Sequence, residues 1–418
     1  MKTLAIVSLG CFRNTYDSQV VLKRFLDQGY SLLSQISLVD PAARCDTLLI
    51  NTCGFIDKAK QETIQCIRDA VALKKKGNIK KLIVFGCLVQ RYRKDLQRSF
   101  PQVDQWQGVE RFDLASCHEN TLLPRHIGFL KICDGCINRC SYCAIPLIKG
   151  GLISKPAQEI IKEAQYLDKN GVKELHIIGQ DTTSWGADLA GRPDLARLLK
   201  SIIKATKHIR WIRLLYTHPR HFTNSLLDVI AQEERICKYI DLPIQHINDR
   251  ILKLMARGVT KQEIVSLIAK IRKNVRNCSL RTSVIAGFPT ESKIEFKELL
   301  SFIKETEFEK LGAFVYSREE GTLAYNFKPQ VHSKTKESRY REIMRVQQEI
   351  SARLGRRYIG KSLPILVDGK EDGVYIARTQ YDAYEVDGVV YLGRKNIKVG
   401  EFYTACITDA YEYDLVGV

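Results

Sequence analysis

No apolar run in the 418-residue chain reaches the roughly 18 to 20 positions that a membrane-spanning helix needs, so threading through a bilayer by helices is excluded. Low-complexity segments are missing, as are repeats with a period of roughly 20 to 50 residues, which excludes solenoids and propellers. A convincing export signal is also lacking. The candidate is Met1 to Phe12, but its apolar stretch Leu4-Ala5-Ile6-Val7-Ser8-Leu9 is shorter than a usual signal core and no small-x-small cleavage site follows. In Ser8-Leu9-Gly10-Cys11, Ser8 stands where a lipoprotein box needs a large apolar residue. A cytoplasmic protein without membrane attachment is expected, and in that reducing compartment its 13 cysteines are not expected to pair as disulfides. Acidic residues are in deficit: 47 Asp and Glu against 65 Lys and Arg leave a formal charge of +18, which suggests attraction to nucleic acid. With 45% hydrophobic and 27% charged residues, the chain is neither fibrous nor disordered, and its length suggests two or three domains.

Hydrophobic periodicity divides the chain into three. Up to about residue 125, Leu4 to Leu9, Thr47 to Thr52 and Lys81 to Gly86 read as buried parallel strands, with helices over Ser18 to Gln28, Lys58 to Lys74 and Gln90 to Arg98. That order predicts a parallel sheet covered by helices. From residue 126 to about 350 six further βα units follow. Their strands are predicted at Gly128 to Ile132, Glu174 to Ile178, Trp211 to Tyr216, Tyr239 to Pro243, Leu280 to Ala286 and Gly312 to Tyr316. This suits a barrel or partial barrel with its reactive residues at the carboxyl ends of the strands. After a charged helix near Lys334 to Arg356, residues 351–418 offer five short β-branched and aromatic runs, a small closed or sandwiched antiparallel domain.

The cysteines carry the chemistry. Cys136-x₃-Cys140-x₂-Cys143 places three thiolates on one loop after the first predicted barrel strand. Three thiolates can hold three corners of a 4Fe–4S cluster and leave one iron open for a small molecule. A zinc site needs a fourth ligand, and Cys133 stands at suitable spacing to supply it, so zinc stays open on spacing alone. Cys11, Cys53 and Cys87 each end a predicted strand of the first sheet. The carboxyl ends of neighbouring parallel strands share one edge, so these three can converge; the alternative is three buried small side chains. Cys45, Cys66, Cys117, Cys237, Cys278 and Cys406 lack metal spacing and are expected to be packing residues, and Cys133 is read as a neighbour of the loop.

The loop, with Tyr142 before its last cysteine, matches the signature of radical S-adenosylmethionine (SAM) enzymes. The continuation Ala144-Ile145-Pro146 and Lys149-Gly150-Gly151 is similar to their methylthiotransferase branch. Ser8-Leu9-Gly10-Cys11 with Arg13-Asn14 and Asp17-Ser18, Asn51-Thr52-Cys53-Gly54-Phe55-Ile56, and Gly86-Cys87 with Gln90-Arg91-Tyr92 resemble that family's amino-terminal domain. The resemblance spans nearly the whole chain. It implies an α/β architecture: an amino-terminal parallel sheet domain (1–125), a central partial (β/α)₆ radical SAM barrel (126–350) and a small TRAM-like antiparallel β-barrel (351–418). It further implies two 4Fe–4S clusters, one on Cys136, Cys140 and Cys143 that generates a radical from SAM, the other on Cys11, Cys53 and Cys87 that handles sulfur. No catalytic residue beyond these ligands is implied.

Gly179-Gln180-Asp181-Thr182-Thr183 resembles the segment that approaches the SAM amino group, and Ile285-Ala286-Gly287-Phe288-Pro289 the segment near its adenosine. Gly179, Gln180, Asp181, Ile285 and Gly287, with Tyr142 and Gln245, are the expected cofactor contacts. Where the family usually continues Gly-Glu-Thr, this chain has Thr290-Glu291-Ser292. One family branch modifies a transfer RNA adenosine, the other the β-carbon of an aspartate in protein twelve of the small ribosomal subunit. Gln180-Asp181, Gln245-His246 and Tyr316-Ser317-Arg318-Glu319-Glu320-Gly321-Thr322 look like the protein-modifying branch. The tail from Ala377 to Gly388 and from Tyr413 to Gly417 resembles the substrate-contacting barrel, its acidic and aromatic residues suiting a basic protein. The implied partners are that ribosomal protein, a reductant such as flavodoxin or ferredoxin, and a sulfur donor that the sequence does not identify. The transfer RNA branch and, more remotely, a zinc-stabilised RNA-binding protein are the rival expectations.

Overall fold

A computed structural model describes residues 2–33, 37–38, 40, 42–109, 122–393 and 396–418. Five parallel strands open the chain: β1 (Thr3–Ser8), β2 (Ser31–Leu32), β3 (Cys45–Thr52), β4 (Ile79–Gly86) and β5 (Gln105–Gln107), in the spatial order β2-β1-β3-β4-β5. Leu48, Leu49, Ile50, Leu82 and Val84 are buried, as expected of strands covered on both faces. The edge strands β2 and β5 are two and three residues long, too short to leave a hydrophobic period. Helices α1 (Phe12–Leu26), α2 (Asp57–Lys75) and α3 (Cys87–Ser99) connect them. α1 and α3 begin earlier than periodicity predicts, each within one residue of a strand-end cysteine. The start of α1 carries Asn14 and Asp17, polar yet buried, so no apolar stripe announces it, whereas α3 opens on the buried Cys87-Leu88-Val89, which in sequence runs on from the apolar strand β4. Lys80 and Lys81 belong to β4, and Lys80 pairs with Asp46 at 2.6 Å.

The central layer holds β6 (Ile127–Lys131), a short antiparallel pair β7 (Cys133–Asp134) and β8 (Ile153–Ser154), and then β9 (Glu174–Ile178), β10 (Trp211–Leu214), β11 (Tyr239–Asp241), β12 (Ser279–Ala286) and β13 (Lys310–Val315). Parallel pairing gives β6-β9-β10 and β11-β12-β13. Backbone bonds from Cys237 N to Ile212 O (3.0 Å) and from Thr217 N to Asp241 O (3.2 Å) join the two halves into an open barrel of six strands. Around it lie α4 (Ile145–Ile148), α5 (Ala157–Lys169), α6 (Leu195–Ala205), α7 (Asn224–Gln232), α8 (Asp249–Leu254), α9 (Lys261–Asn274) and α10 (Lys293–Thr306). α10 starts two residues later than Glu291, where the sequence pattern places it. Ser292 is its N-cap in a capping box with Glu295, which leaves Glu291 outside the helix and free to enter the barrel mouth.

α11 (Ser333–Gly355) packs on β13 and leads to β14 (Ser362–Glu371), β15 (Val374–Thr379), β16 (Val390–Leu392), β17 (Phe402–Ala410) and β18 (Leu415–Gly417), closed in the order β14-β15-β16-β18-β17. The expected antiparallel pattern holds except between β16 and β18, which pair in parallel. β16 is short, beginning only at Val390, because residues before it fold against the central barrel. Arg378, 1% exposed, donates to Glu174 at 2.6 Å and to Asp368 at 2.6 Å, while Arg213 donates to the same Glu174 at 2.8 Å. Asp382 pairs with Lys310 at 2.5 Å, and Asp387 accepts from Tyr239 at 2.7 Å. The acidic tail residues read as suiting a basic substrate are therefore consumed, in these cases, by the joint between barrels. No helix among the described residues is long and apolar enough to cross a membrane.

Candidate cluster and cofactor site

Parallel pairing of β1, β3 and β4 sets Cys11, Cys53 and Cys87 at one edge, each just past a strand end. The chain passes so closely that a Cβ added at Gly10 would lie 2.9 Å from Cys53 Cβ, and Gly10 adopts φ +95°, a conformation that favours glycine. Asn14 holds the turn, donating to Leu9 O at 2.7 Å, and Cys87 Sγ donates to Asn14 Oδ1 at 3.8 Å. Burial pushes the Cys53 thiol up and the Cys87 thiol up to about 12. Burial acts on Cys11 in the same sense, but the Arg13 charge and its Nε–H, donated to Cys11 Sγ at 3.3 Å, outweigh it and lower that thiol below its ordinary value.

Cys136, Cys140 and Cys143 lie on the loop between β7 and α4. The loop is pinned by Ser141 N to Met255 O at 2.9 Å and by Ala324 N to Ser141 O at 2.8 Å. Donors aim at all three sulfurs: Asn138 Nδ2 at Cys136 (3.5 Å), Arg257 Nη1 at Cys140 (3.5 Å) and Ile145 N at Cys143 (3.4 Å). Burial raises the Cys136 thiol, and burial with the neighbouring Cys140 raises Cys143 to about 12. Buried thiols that ionise reluctantly on their own fit a site whose metal supplies the compensating charge.

The geometry also separates a cluster from a single zinc. Ligands 2.3 Å from a tetrahedral zinc sit about 3.8 Å apart. Among the described residues, the group of three or more His, Cys, Asp or Glu ligand atoms lying within 4.8 Å of one another is Asp181, His218 and His221; neither cysteine triad closes that tightly. Cys133 is turned away, its Sγ donating to Asp181 O at 3.5 Å and packing where a Cβ at Gly179 would intrude to 2.5 Å. Cys133 is thus a neighbour of the loop triad whose sulfur points away from it.

The two triads adjoin. Cys87 packs with Ala144 and Ile148, just past Cys143. Beneath them four buried charges from both layers interlock: Lys131 Nζ donates to Asp17 at 2.7 Å and to Asp134 at 2.8 Å, and Lys149 Nζ donates to Asp17 at 2.7 Å. On the other side Arg91 and Lys60 reach Glu319, in the loop after β13, at 2.7 and 3.1 Å.

The expected SAM contacts divide. Gly179 O accepts from Arg13 Nη1 at 3.5 Å, and Gln180 Nε2 donates to Asp134 at 2.9 Å, leaving Gln180 Oε1 buried without a partner. Asp181 accepts from Asn138 and His221 at 2.7 Å each and from Thr183 at 2.5 Å; burial alone would raise it, but these donors and nearby histidine charge hold it below the usual carboxylate range. Its oxygens are committed to these donors, and burial, with the Arg257 charge nearby, depresses the His218 imidazole to about 2. Because His218 Nδ1 accepts from Arg220 N, its buried, unpartnered Nε2 carries the proton. Tyr142 packs edge-on to Phe288, which also meets Tyr316 edge-on. Gln245 takes φ +70° beside β12, with Ile285 N donating to its carbonyl at 2.9 Å. Gly287 N donates to Glu291 at 2.5 Å, and a Cβ at Gly287 would come within 2.4 Å of the Lys336 side chain. The Thr290-Glu291-Ser292 departure thus keeps the turn, with Glu291 as acceptor.

Arg13, Asn138, Tyr216, His218, His221 and Arg257 escaped the sequence reading as site residues. No sequence signal marks Tyr216; its φ of +58°, a strained value for an aromatic residue, is visible only in the structure. Of the cysteines expected to pack, Cys45, Cys237 and Cys278 are buried and Cys66 half-buried, Cys117 lies outside the described residues, and Cys406 is exposed. Cys406 falls on an outward position of β17, where strand alternation turns every second side chain to solvent.

Known proteins agree with this layout. Residues 3–108 match the model of uncharacterized protein family UPF0004, residues 130–303 that of the radical SAM superfamily, and residues 359–418 the TRAM domain. Among solved structures, the cobalamin-dependent SAM radical enzyme OxsB matches with TM-score 0.52 at 11% identity, over 84% of this chain and 56% of that one. The radical SAM methyltransferase TsrM from Kitasatospora setae, solved with tryptophan and a SAM analogue, matches with TM-score 0.51 at 13% identity, over 75% of this chain and 73% of that one. Both likenesses concern the fold. Sequence relatives are closer: the ribosomal protein uS12 methylthiotransferase RimO of Thermoanaerobacter sp. (strain X514) is 42% identical over 100% of both chains, and that of Chloroherpeton thalassium 41% identical over 99% of this chain and 98% of the relative. By this likeness, from the first sheet through the TRAM barrel, the chain belongs to the ribosomal protein uS12 methylthiotransferase family of radical SAM enzymes, which work with SAM and 4Fe–4S clusters.

Proposed function

We propose that the chain methylthiolates the β-carbon of an aspartate in ribosomal protein uS12, in the cytoplasm, with electrons from a reductant of the flavodoxin or ferredoxin class. The observation that carries this reading is the pair of adjoining thiol triads, one on a loop and one on a sheet edge, in a chain similar to uS12 methylthiotransferases throughout its length. Cys136, Cys140 and Cys143 would hold one 4Fe–4S cluster and Cys11, Cys53 and Cys87 the other. Held there, the first cluster would supply the electron for reductive cleavage of SAM, and the second would serve the handling of sulfur.

The protein's own groups bind and orient. His218 Nε2–H and Gln180 Oε1 offer a donor and an acceptor suited to a carboxylate and an ammonium, and the ionised Asp181 adds negative charge beside them. Tyr142, Phe288 and Tyr316 form an aromatic wall that keeps water from this side of the site. Glu319, 2% exposed and paired with Arg91 and Lys60, ties the loop after β13 to the amino-terminal sheet.

Mass spectrometry of uS12 and of digested transfer RNA, from cells with and without the protein, tests the assignment. A methylthio increment on the uS12 aspartate that depends on the protein is expected. The increment on a transfer RNA nucleoside alone would refute it.

A further inference from the structure

The guanidinium of Arg13 occupies the gap between the triads. Its Nε–H donates to Cys11 Sγ at 3.3 Å, its Nη1 reaches Gly179 O in the barrel at 3.5 Å, and its plane lies 4.5 Å from the centre of the Tyr216 ring. Tyr216 is itself held firmly. It sits at φ +58°, its N–H donates to Asp241 at 2.8 Å and its carbonyl accepts from Thr182 N at 2.9 Å. A residue kept in that strained conformation by bonds on both sides makes a rigid platform for a stacked cation. Arg257 and Asn138 serve the loop triad only, each bonding one of its sulfurs. Arg13 differs: it bonds a sulfur of the sheet triad and at the same time the barrel carbonyl of Gly179, whose Cα packs against Cys133 at the head of the cysteine loop.

Reduction adds negative charge to an iron–sulfur cluster, so a nearby cation and N–H···S bonds favour the reduced form. We propose that Arg13 is a positioning residue shared by both cluster sites, raising the reduction potential of the amino-terminal cluster through its bond to Cys11 and, by charge alone, that of the barrel cluster. The inference rests on the two-cluster reading, so iron counting comes first. Wild-type protein reconstituted without oxygen should hold eight irons per chain, as two four-iron clusters require; four or fewer would overturn that reading and this inference with it.

With eight irons in place, a redox titration followed by electron paramagnetic resonance separates the clusters, the barrel cluster being the one whose signal changes on adding SAM. In Arg13→Gln the reduced-to-oxidised ratio of the amino-terminal cluster at fixed poise should fall about tenfold, which is 59 mV for one electron. The barrel cluster should move the same way by less. Arg13→Lys, which keeps the charge and loses the fork, should restore the barrel cluster more fully than the amino-terminal one. Full iron with both potentials unchanged in Arg13→Gln would overturn the proposal. If Arg13→Gln loses iron, Arg13→Lys decides: an amino-terminal potential equal to wild type would overturn the proposal, and a lowered one would support it.

Discussion

Cys136, Cys140 and Cys143 share one loop, whereas Cys11, Cys53 and Cys87 come from three strands far apart in sequence. The loop triad is brought together by one short stretch of chain, which Asn138 within it and bonds to Met255 and Ala324 of the barrel then hold in place. The sheet triad exists only when β1, β3 and β4 are in register, and Asn14, Gly10 and Arg13 adjust it across the strand ends. The difference teaches that two sites with the same donor set depend on different parts of the fold. A local defect should disable one and spare the other, while a defect at the joint between layers should disturb both.

The largest expected effect breaks the pair apart chemically. Cys140→Ser should abolish both SAM cleavage and methylthiolation, and Cys53→Ser should abolish methylthiolation while reductive SAM cleavage continues. Quantifying 5′-deoxyadenosine and modified uS12 peptide in parallel checks this. Loss of both activities in Cys53→Ser would mean that the triads act as a single coupled site.

Next in size is the joint. Lys149→Met leaves Asp17 and Asp134 buried with Lys131 as their shared cation, a change that costs about 3 to 5 kcal/mol where one partner of a buried charge group is removed. Denaturant unfolding of the variant should show this loss, along with reduced iron at both triads. Asp181→Asn acts more narrowly. It should weaken SAM binding about tenfold, or about 1.4 kcal/mol, with iron content unchanged, as equilibrium dialysis can measure. At the small end, Cys406→Ser should shift stability by less than about 0.5 kcal/mol and leave iron loading intact, in contrast to Cys87→Ser, because Cys406 is exposed and remote from both triads.

The loop triad was the most legible part of the site, since its spacing is local and survives without knowledge of the fold. The sheet triad became legible through topology: parallel strands end on one edge, so three strand-end cysteines point to one place. Strand positions in the barrel were readable from short apolar stretches bounded by turns and helices, although residues such as Glu174, Arg213 and Asp241 interrupt them with buried charge. What stayed hidden depended on tertiary contact. Arg13 looks like a surface residue in sequence, and only docking of α1 against the barrel puts it over Tyr216. His218 and His221 have no metal spacing, and their meeting with Asp181 requires the turns after β9 and β10 to adjoin. The role of Asp382 and Asp387 was misread for a related reason: acidic residues in the tail suggest an outward face, and their pairing with Lys310 and Tyr239 cannot be read from composition.

The interlocked charges of Asp17, Lys131, Asp134 and Lys149 have a mechanical consequence. Two carboxylates and two ammonium groups are neutralised only while the amino-terminal sheet and the barrel are seated on one another, so sliding either layer would strand charge in a dry interior. The knot therefore works as a ruler and not as a hinge. It sets the gap between the sheet edge that carries Cys11, Cys53 and Cys87 and the loop that carries Cys136, Cys140 and Cys143, so whatever reaches across has to fit that fixed gauge.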